Sequence, residues 1–581
     1  MTEPTTLTCL SPEGLLEAPP SLRSINPRLP DMAGKKIRLL WDGKMGGENF
    51  CMAMQKVLRD RCPTASVEWV ALGDIDATAK AKEELDAFIY AVGDSGMGGW
   101  IAATNGVALE KELDRPGVVV VGENAIHCAR MAAETMGMPG LRIIALPAIE
   151  YYPNRLTAEG LKPLAISTAD SIVAALTNPP SPEEERSRVA LPGDDETEAV
   201  TIAADDYEAA YEEFNRLYLE RRWGDGLPLV PPTKEAVQRM LAATHRAPDH
   251  IIGRLPYRGG IITVGKIAVN AVMAGAKPEY LPVVIAAMEC LAADEGFHHV
   301  VSSEGSFTLA IMVTGAMGEE LGMNSGVGLL GHGWRANNTI GRAVRLCLNN
   351  IGYLRPGEID MALIGRPSSH TFYTFAENQK QSPWEPYHVG RGFPEEDSCV
   401  TVSTVGGATG FGMSLYGGGV VEPWSLEAVL EAMVKHVASD RESLGQYRLG
   451  VGNPFAHLRK HVMVIHPELA ILLQRQGFSR QSLVDHLFEA AKVPYEELSA
   501  REVQGLRDRI HTKPGGPYFA NDAIPEDQLK SVEEALKPGG KVPVVYPRDL
   551  HIIVSGAIPG YSFGMGYFRT AHQTRRVDPA P

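Results

Sequence analysis

The sequence predicts an α/β protein, with a small doubly wound parallel-sheet domain at the N-terminus followed by a larger α/β (α+β) region. Three observations carry that prediction. Short β-branched runs alternate with amphipathic segments between about Lys35 and Leu176, a proline-rich acidic stretch interrupts the chain, and beyond it the texture changes. Strands that alternate with helices imply parallel pairing through right-handed crossovers.

Residues 1–34 show no period and are expected to form an irregular lead. From 35 to 176, "KIRLLWDG", "SVEWVALG", "DAFIYAVGD", "GVVVVGE" and "LRIIALP" read as strands. Between them "ENFCMAMQKVLRDR", "AKAKEELD", "WIAATNGVALEKEL" and "AIHCARMAAETMG" read as helices. Residues 177–200, with "NPPSPEEERSRVALPGDDETEA", hold almost no large apolar side chain and have the composition of a solvated linker. From 201 to 581 helical patterns such as "YEAAYEEFNRLYLERRW", "SLEAVLEAMVKHVAS" and "RQSLVDHLFEAAK" interleave with "LAIMVTGAMG", "DMALIGRPSS", "HVMVIHPELA" and "LHIIVSGAIPG". These four apolar runs end in glycine, histidine or proline turns, which suits the loop-bearing rim of a sheet. Their spacing is too irregular to predict a repeat.

Composition narrows the function classes. A chain of 581 residues with 44% hydrophobic content supports two or three packed domains. Its longest apolar runs are too short to span a membrane, and "MTEPTTLTCLSPEGLLEAPP" lacks the form of a signal peptide, so a cytoplasmic protein without a membrane partner is expected. A net charge of −16 with no dense basic run argues against nucleic acid as a partner. The seven cysteines form no CxxC pair, which predicts neither a disulfide framework nor a thiolate zinc site. Assembly as a homo-oligomer is expected.

Ligands of open parallel sheets collect beyond the carboxyl ends of strands, where the strand order reverses. Two turns qualify: "DGKMGGEN", with Gly46 and Gly47, and "GDSGMGGW", with Ser95 and Gly96. Glycines let the backbone bend and approach a ligand, and a helix N-terminus favours an anion. Neither turn matches a dinucleotide or P-loop fingerprint, so no nucleotide cofactor is predicted. Glycine turns of this kind also occur with no ligand. Ser95 stands where a nucleophile elbow would put its serine, but the final glycine of G-x-S-x-G is missing.

The stretch "VGDSGMGGWIAATNGVALEKELDRPGVVVV" resembles the UGSC-like family of bacterial proteins. That family is named for selenocysteine or cysteine followed by Gly-Ser-Cys, after Gly-Asp. The motif falls on Ser95, Gly96, Met97 and Gly98, preceded by Gly93 and Asp94, and both chalcogen positions are replaced, by Ser95 and Gly98. The resemblance implies an active-site turn that has lost its redox atoms. In the second region "ITVGKIAVNAVMAGAKPEYLPVVIAAMECL", "GHGWRANNTIGRAVRLCLNNIG" and "SPWEPYHVGRGF" resemble a large domain associated with such proteins, which implies no particular reaction.

The second region offers two chemical constellations. In "NSGVGLLGHGWRANNTIGRAVRLCLNN" a glycine loop delivers His332, Trp334 and Arg335 to a helix expected to start near Asn337, Asn338 or Thr339, each a good cap. Backbone donors and a guanidinium would converge there on a small carboxylate or phosphate. The alternative is an arginine paired with a structural carboxylate. In "FAENQKQSPWEPYHVGRGF" the residues Glu377, Glu385, His388 and Arg391 share a loop stiffened by two prolines, with His388 the natural proton carrier and a glutamate its orienter. A buried loop satisfied by its own charges is equally consistent. No histidine spacing matches a metal motif, although ligands from distant loops could hold a divalent metal. Cys399, with acidic neighbours, reads as packed and inert.

These features predict a soluble enzyme acting on a small anionic organic substrate. Its chemistry would be acid–base, metal-assisted or not, of lyase or hydrolase type, in a cleft that includes the 331–338 and 377–391 loops. An oxidoreductase related to the family motif, or a non-catalytic binding or assembly protein, is the alternative.

Overall fold

The computed structural model describes residues 5–16, 22–41, 43, 46–71, 85–182, 184, 199–294, 297, 301, 307–360, 365–411, 425–438, 460–511, 526–558, 562–567 and 572–581.

Thr5–Leu10 forms β1. The first sheet then takes β2 (Lys36–Trp41), β3 (Ser66–Ala71), β4 (Ala87–Gly93), β5 (Gly117–Gly122) and β6 (Ile143–Leu146), all parallel, in the order β3-β2-β4-β5-β6. Both central strands, "AFIYAVG" and "GVVVVG", are buried along their whole length, because helices cover both faces of a doubly wound sheet. Ile37, Leu39, Ile89, Val118 and Val120 pack against the helices Gly47–Arg61 and Ala158–Thr177. The alternate residues Phe88, Tyr90, Val119 and Val121 pack against Gly96–Leu113 and Ile126–Thr135 on the other face. Strand order reverses between β2 and β4, as the ligand argument requires. The helix expected at "AKAKEELD" lies mostly outside the described residues.

The lead is not irregular throughout. β1 pairs antiparallel with β7 (Ala199–Ala204), and Cys9 is buried in the core of the second region. Residues 10–15 then run through that region: Lys266 Nζ donates to the Ser11 carbonyl at 2.8 Å and Tyr353 Oη to that of Gly14 at 2.7 Å. Farther on, Ile25, Leu29 and Met32 join the cores of the first domain. A segment without period can still be ordered when each apolar residue finds a separate socket, which is what no windowed pattern detects.

Of the predicted linker, 183 and 185–198 lie outside the described residues. Glu184 is anchored: Arg142 meets both its carboxylate oxygens at 3.0 Å, which holds the carboxyl below the usual range.

Beyond a hairpin of β8 (Ile251–Arg254) and β9 (Ile261–Thr263), two four-stranded sheets form. The first uses β10 (Thr308–Thr314), β11 (Tyr373–Ala376) and β12 (Cys399–Val405). The second uses β13 (Thr409–Phe411) and β14 (Lys460–Ile465). A small bridge of β15 (Val493–Pro494) and β16 (Lys541–Val542) precedes β17 (Leu550–Val554), β18 (Ser562–Tyr567) and β19 (Gln573–Arg576). The sheet orders are β11-β10-β12-β19 and β13-β18-β14-β17. Each has a parallel edge pair, β10 with β11 and β14 with β17, followed by antiparallel neighbours. The pattern is therefore a repeat whose fourth strands are exchanged, since β13 follows β12 into the second sheet and β19 follows β18 into the first. The unequal segments between strands hide it in the sequence.

Side-chain alternation builds four layers. Leu309, Ile311 and Val313 of β10 face the helices Val264–Met273, Leu281–Ala292 and Arg335–Asn350, whereas Ala310 and Met312 meet Val462, Val464 and Ile553 between the sheets. Met463, Ile465, Leu550, Ile552 and Val554 turn outward to helices that include Leu426–Ala438, Pro467–Arg475 and Arg480–Ala490. The first domain docks on this body through Trp100 against Tyr257, with ring centroids 4.5 Å apart, and through Cys128 Sγ donating to the Glu358 carbonyl at 2.7 Å.

Candidate functional site

At the switch point of the first sheet, the two glycine turns meet as expected, around Arg155. A Cβ on Gly46 would come within 2.7 Å of the Arg155 side chain, and one on Gly47 within 2.8 Å of Trp41, so both positions require glycine for close approach. Asn49 Nδ2 donates to the Arg155 carbonyl, and the Arg155 guanidinium lies 2.9 Å from Asp94. A side-chain cation that already has its carboxylate thus occupies the place where an anion was expected. Asp42 and residues 44–45 of that turn lie outside the described residues. Ser95 is the N-cap of Gly96–Leu113, its Oγ accepting from the Gly98 N–H at 3.1 Å, and Gly96 begins the helix. The Ser95 hydroxyl is thus engaged as a buried cap that satisfies a helix end.

The second glycine loop also departs from expectation. The helix begins at Arg335, with Trp334 as N-cap and no side-chain cap, so Asn337, Asn338 and Thr339 are not caps. Arg335 is exposed, and its Nε and Nη2 donate to the Gly275 carbonyl at 3.3 and 3.0 Å. Thr339 Oγ1 returns a bond to the Arg335 carbonyl, and Asn338 N–H donates to that of Trp334. Asn337 is buried and ties the Asn324 backbone to the Thr374 carbonyl, a structural duty. His332 is exposed. The anion grip expected at 331–338 is not formed by these groups. The loop contributes Leu329 to the inter-sheet core instead.

The 377–391 loop does bring chemistry together. Glu377 follows β11 and is buried, paired with Arg480 at 3.0 Å and accepting from the Tyr387 N–H at 2.9 Å. Burial pushes its carboxyl up to about 7 against the opposing pull of Arg480, which puts its protonation change near neutrality. His388 is fully buried with both nitrogens engaged, by Thr314 Oγ1 at 3.0 Å and the Pro394 carbonyl at 3.1 Å. It is a structural histidine, correcting its expected part as proton carrier. Glu385 is exposed and does not orient it.

A hydrogen-bonded cluster that the loop composition did not reveal lies beside the loop. Tyr387 Oη lies 2.9 Å from His551 Nδ1 and 2.7 Å from His572 Nε2, and the two imidazoles stack 3.7 Å apart. His572 Nδ1 is hydrogen-bonded to Ser403 Oγ. Arg391, exposed, reaches the His572 carbonyl with Nη2 at 3.4 Å, so a guanidinium stands beside the buried cluster. Burial pushes the Tyr387 phenol up, while Arg391 and Arg480 act against the shift. A signal for this cluster exists in the sequence: His551 falls on the inward phase of the otherwise apolar "LHIIV", and Ser403 on that of "CVTVSTV".

Glu377 provides a pH test. Its folded value lies above the ordinary carboxylate range, so its contribution to stability is full below about pH 4.5 and lost as pH rises through about 7. The size expected is on the order of 3 kcal/mol. Urea unfolding between pH 4 and 8 should show that decline in the wild type and a flatter profile in Glu377→Gln. Equal profiles would show that the carboxyl ionises normally.

Among the described residues, no group of three histidine, cysteine or carboxylate side chains is placed to hold a metal ion, and no helix is long and apolar enough to cross a membrane. Burial pushes the thiols of Cys9, Cys128, Cys290 and Cys399 up to about 12, which suits packing and not thiolate chemistry.

Residues 8–178 match the model of the UGSC family. Human periplakin is 27% identical over 154 residues, a match covering 23% of this chain and 8% of periplakin. A solved flavone reductase aligns at 13% identity over 25% of this chain and 63% of that one, with a TM-score of 0.16.

Proposed function

We propose that this protein, whose residues 8–178 form a UGSC-like domain, is a soluble enzyme that acts on a small anionic organic substrate by acid–base chemistry of lyase or hydrolase type. The site is the inner side of the 377–391 loop, where it meets β17 and the start of β19. The observation that carries the reading is the Tyr387 hydroxyl held between His551 and His572. With one of the two rings as imidazolium, the hydroxyl accepts from that ring, so a proton it gives to a substrate is replaced by the imidazolium, which becomes neutral imidazole, without moving a heavy atom. Arg391 supplies the charge that holds a carboxylate or phosphate, and Glu377 with Arg480 fixes the loop by accepting the Tyr387 N–H.

The experiment is a product-detecting NMR screen of small carboxylic, hydroxy and keto acids and phosphate esters with the full-length protein, beside His572→Gln. Turnover of an anionic compound that His572→Gln loses is the expected outcome. Binding without turnover across the panel would overturn the enzymatic reading in favour of a binding protein.

A further inference from the structure

Arg366–His370 precede β11 and Glu377 follows it, so the two ends of this strand serve separate places. At the leading end lies an open pocket of about 770 Å³, lined by groups that include Asp225, Arg345, Asn349, Asp360, Arg366 and His370. Arg345, on the helix Arg335–Asn350, is only 5% exposed. Its Nε donates to the Ser369 carbonyl at 2.8 Å, and the guanidinium lies 4.8 Å from the Phe372 ring and 5.5 Å from that of Phe307. Asp360 approaches Nη1 at 3.6 Å, but Nη2 is buried without a hydrogen-bond partner. Asn349, one turn farther along the helix and 6% exposed, has its Oδ1 in the same condition.

A buried charged donor and a buried acceptor, both unsatisfied on one wall, are costly to keep, the charge more so. Packing alone would favour apolar residues there. Asp225 does not neutralise Arg345, because Arg342 takes its carboxylate at 2.7 and 2.9 Å. Burial lowers the Arg345 guanidinium from its ordinary range, with Asp360 and Asp225 opposing, as expected of a charge whose compensation is incomplete. The i, i+4 spacing puts both groups on one helix face, where a single small molecule can meet them together.

We propose that this pocket binds a small carboxylate bearing an adjacent hydroxyl or amino group, an α-hydroxy or α-amino acid. Its carboxylate accepts from Arg345 Nη2 and its hydroxyl or amino group donates to Asn349 Oδ1. Arg366 adds positive charge at the pocket wall.

Calorimetric titration of the full-length protein with millimolar lactate, malate, glycine and aspartate, beside propionate and succinate, tests the pairing. At least one donor-bearing acid should bind about tenfold more tightly than its donor-free counterpart. Asn349→Leu should abolish that preference while carboxylate binding persists. Arg345→Lys, or Arg366→Gln where the first variant fails to fold, should weaken all binding, and Arg391→Gln should leave it unchanged. The proposal is overturned if no acid binds, if natively folded Asn349→Leu keeps the preference, or if Arg391→Gln abolishes binding, since the acids would then be occupying the acid–base site.

Discussion

Glu110→Ala will destabilise the first domain by about 3–5 kcal/mol, the range typical of a broken buried ion pair. Glu110 and Arg28 have side chains 0% and 1% exposed and meet at 2.8 and 3.1 Å. The carboxylate also accepts from the N–H groups of Asn26 and Gly117, both at 2.9 Å, so it ties the lead to the start of β5. Removing it strands a guanidinium whose own value is already lowered by burial and is sustained by Glu110. The double variant Arg28→Met, Glu110→Leu should recover much of the loss, because it removes the uncompensated charge with its partner. Urea unfolding followed by circular dichroism makes the comparison. A loss below about 1 kcal/mol in Glu110→Ala would mean the pair is solvated and the lead is held by its apolar contacts alone.

That ion pair also shows what the sequence hides. Arg28 and Glu110 are 82 positions apart, and nothing in "SINPRLP" announces that its arginine is buried. Period-based reading works where an element repeats its own pattern, as in β4 and β5, whose unbroken apolar runs correctly imply a doubly covered parallel sheet. It also located the switch-point turns, since those depend only on strand ends. It could not see Arg155 entering between them from beyond β6, nor the exchange of β13 and β19, because both are matters of long-range pairing. The site divides in the same way. The 377–391 loop stood out for its density of polar groups, yet density does not say how each group is used: His388 spends both nitrogens on the fold, and the Tyr387 hydroxyl lies between two histidines. Its partners, His551 in β17 and His572 just before β19, lie more than 160 positions away, so only the misplaced polarity of the β17 strand could have pointed to them.

Tyr387→Phe is expected to slow turnover by roughly 100- to 10,000-fold, the range that a positioned general acid or base contributes. The substitution removes one oxygen and keeps the ring that packs with Phe375 and Leu329, so the fold and the Arg391 contact should survive. With the phenol pushed up by burial, the proposed mechanism has Tyr387 act first as an acid, its proton returned by an adjacent imidazolium. The effect should therefore fall on kcat with KM little changed, because the hydroxyl works in the transition state and Arg391 holds the ground state. A structural role would read differently: the melting temperature would fall and KM would rise together with the loss of kcat. The pH profile adds a second readout, since Glu377→Gln should remove a limb near pH 7 and leave the rest of the profile in place. Turnover within about twofold of wild type in Tyr387→Phe would end the acid–base assignment, because no other hydroxyl among the described residues is shared between two stacked histidines.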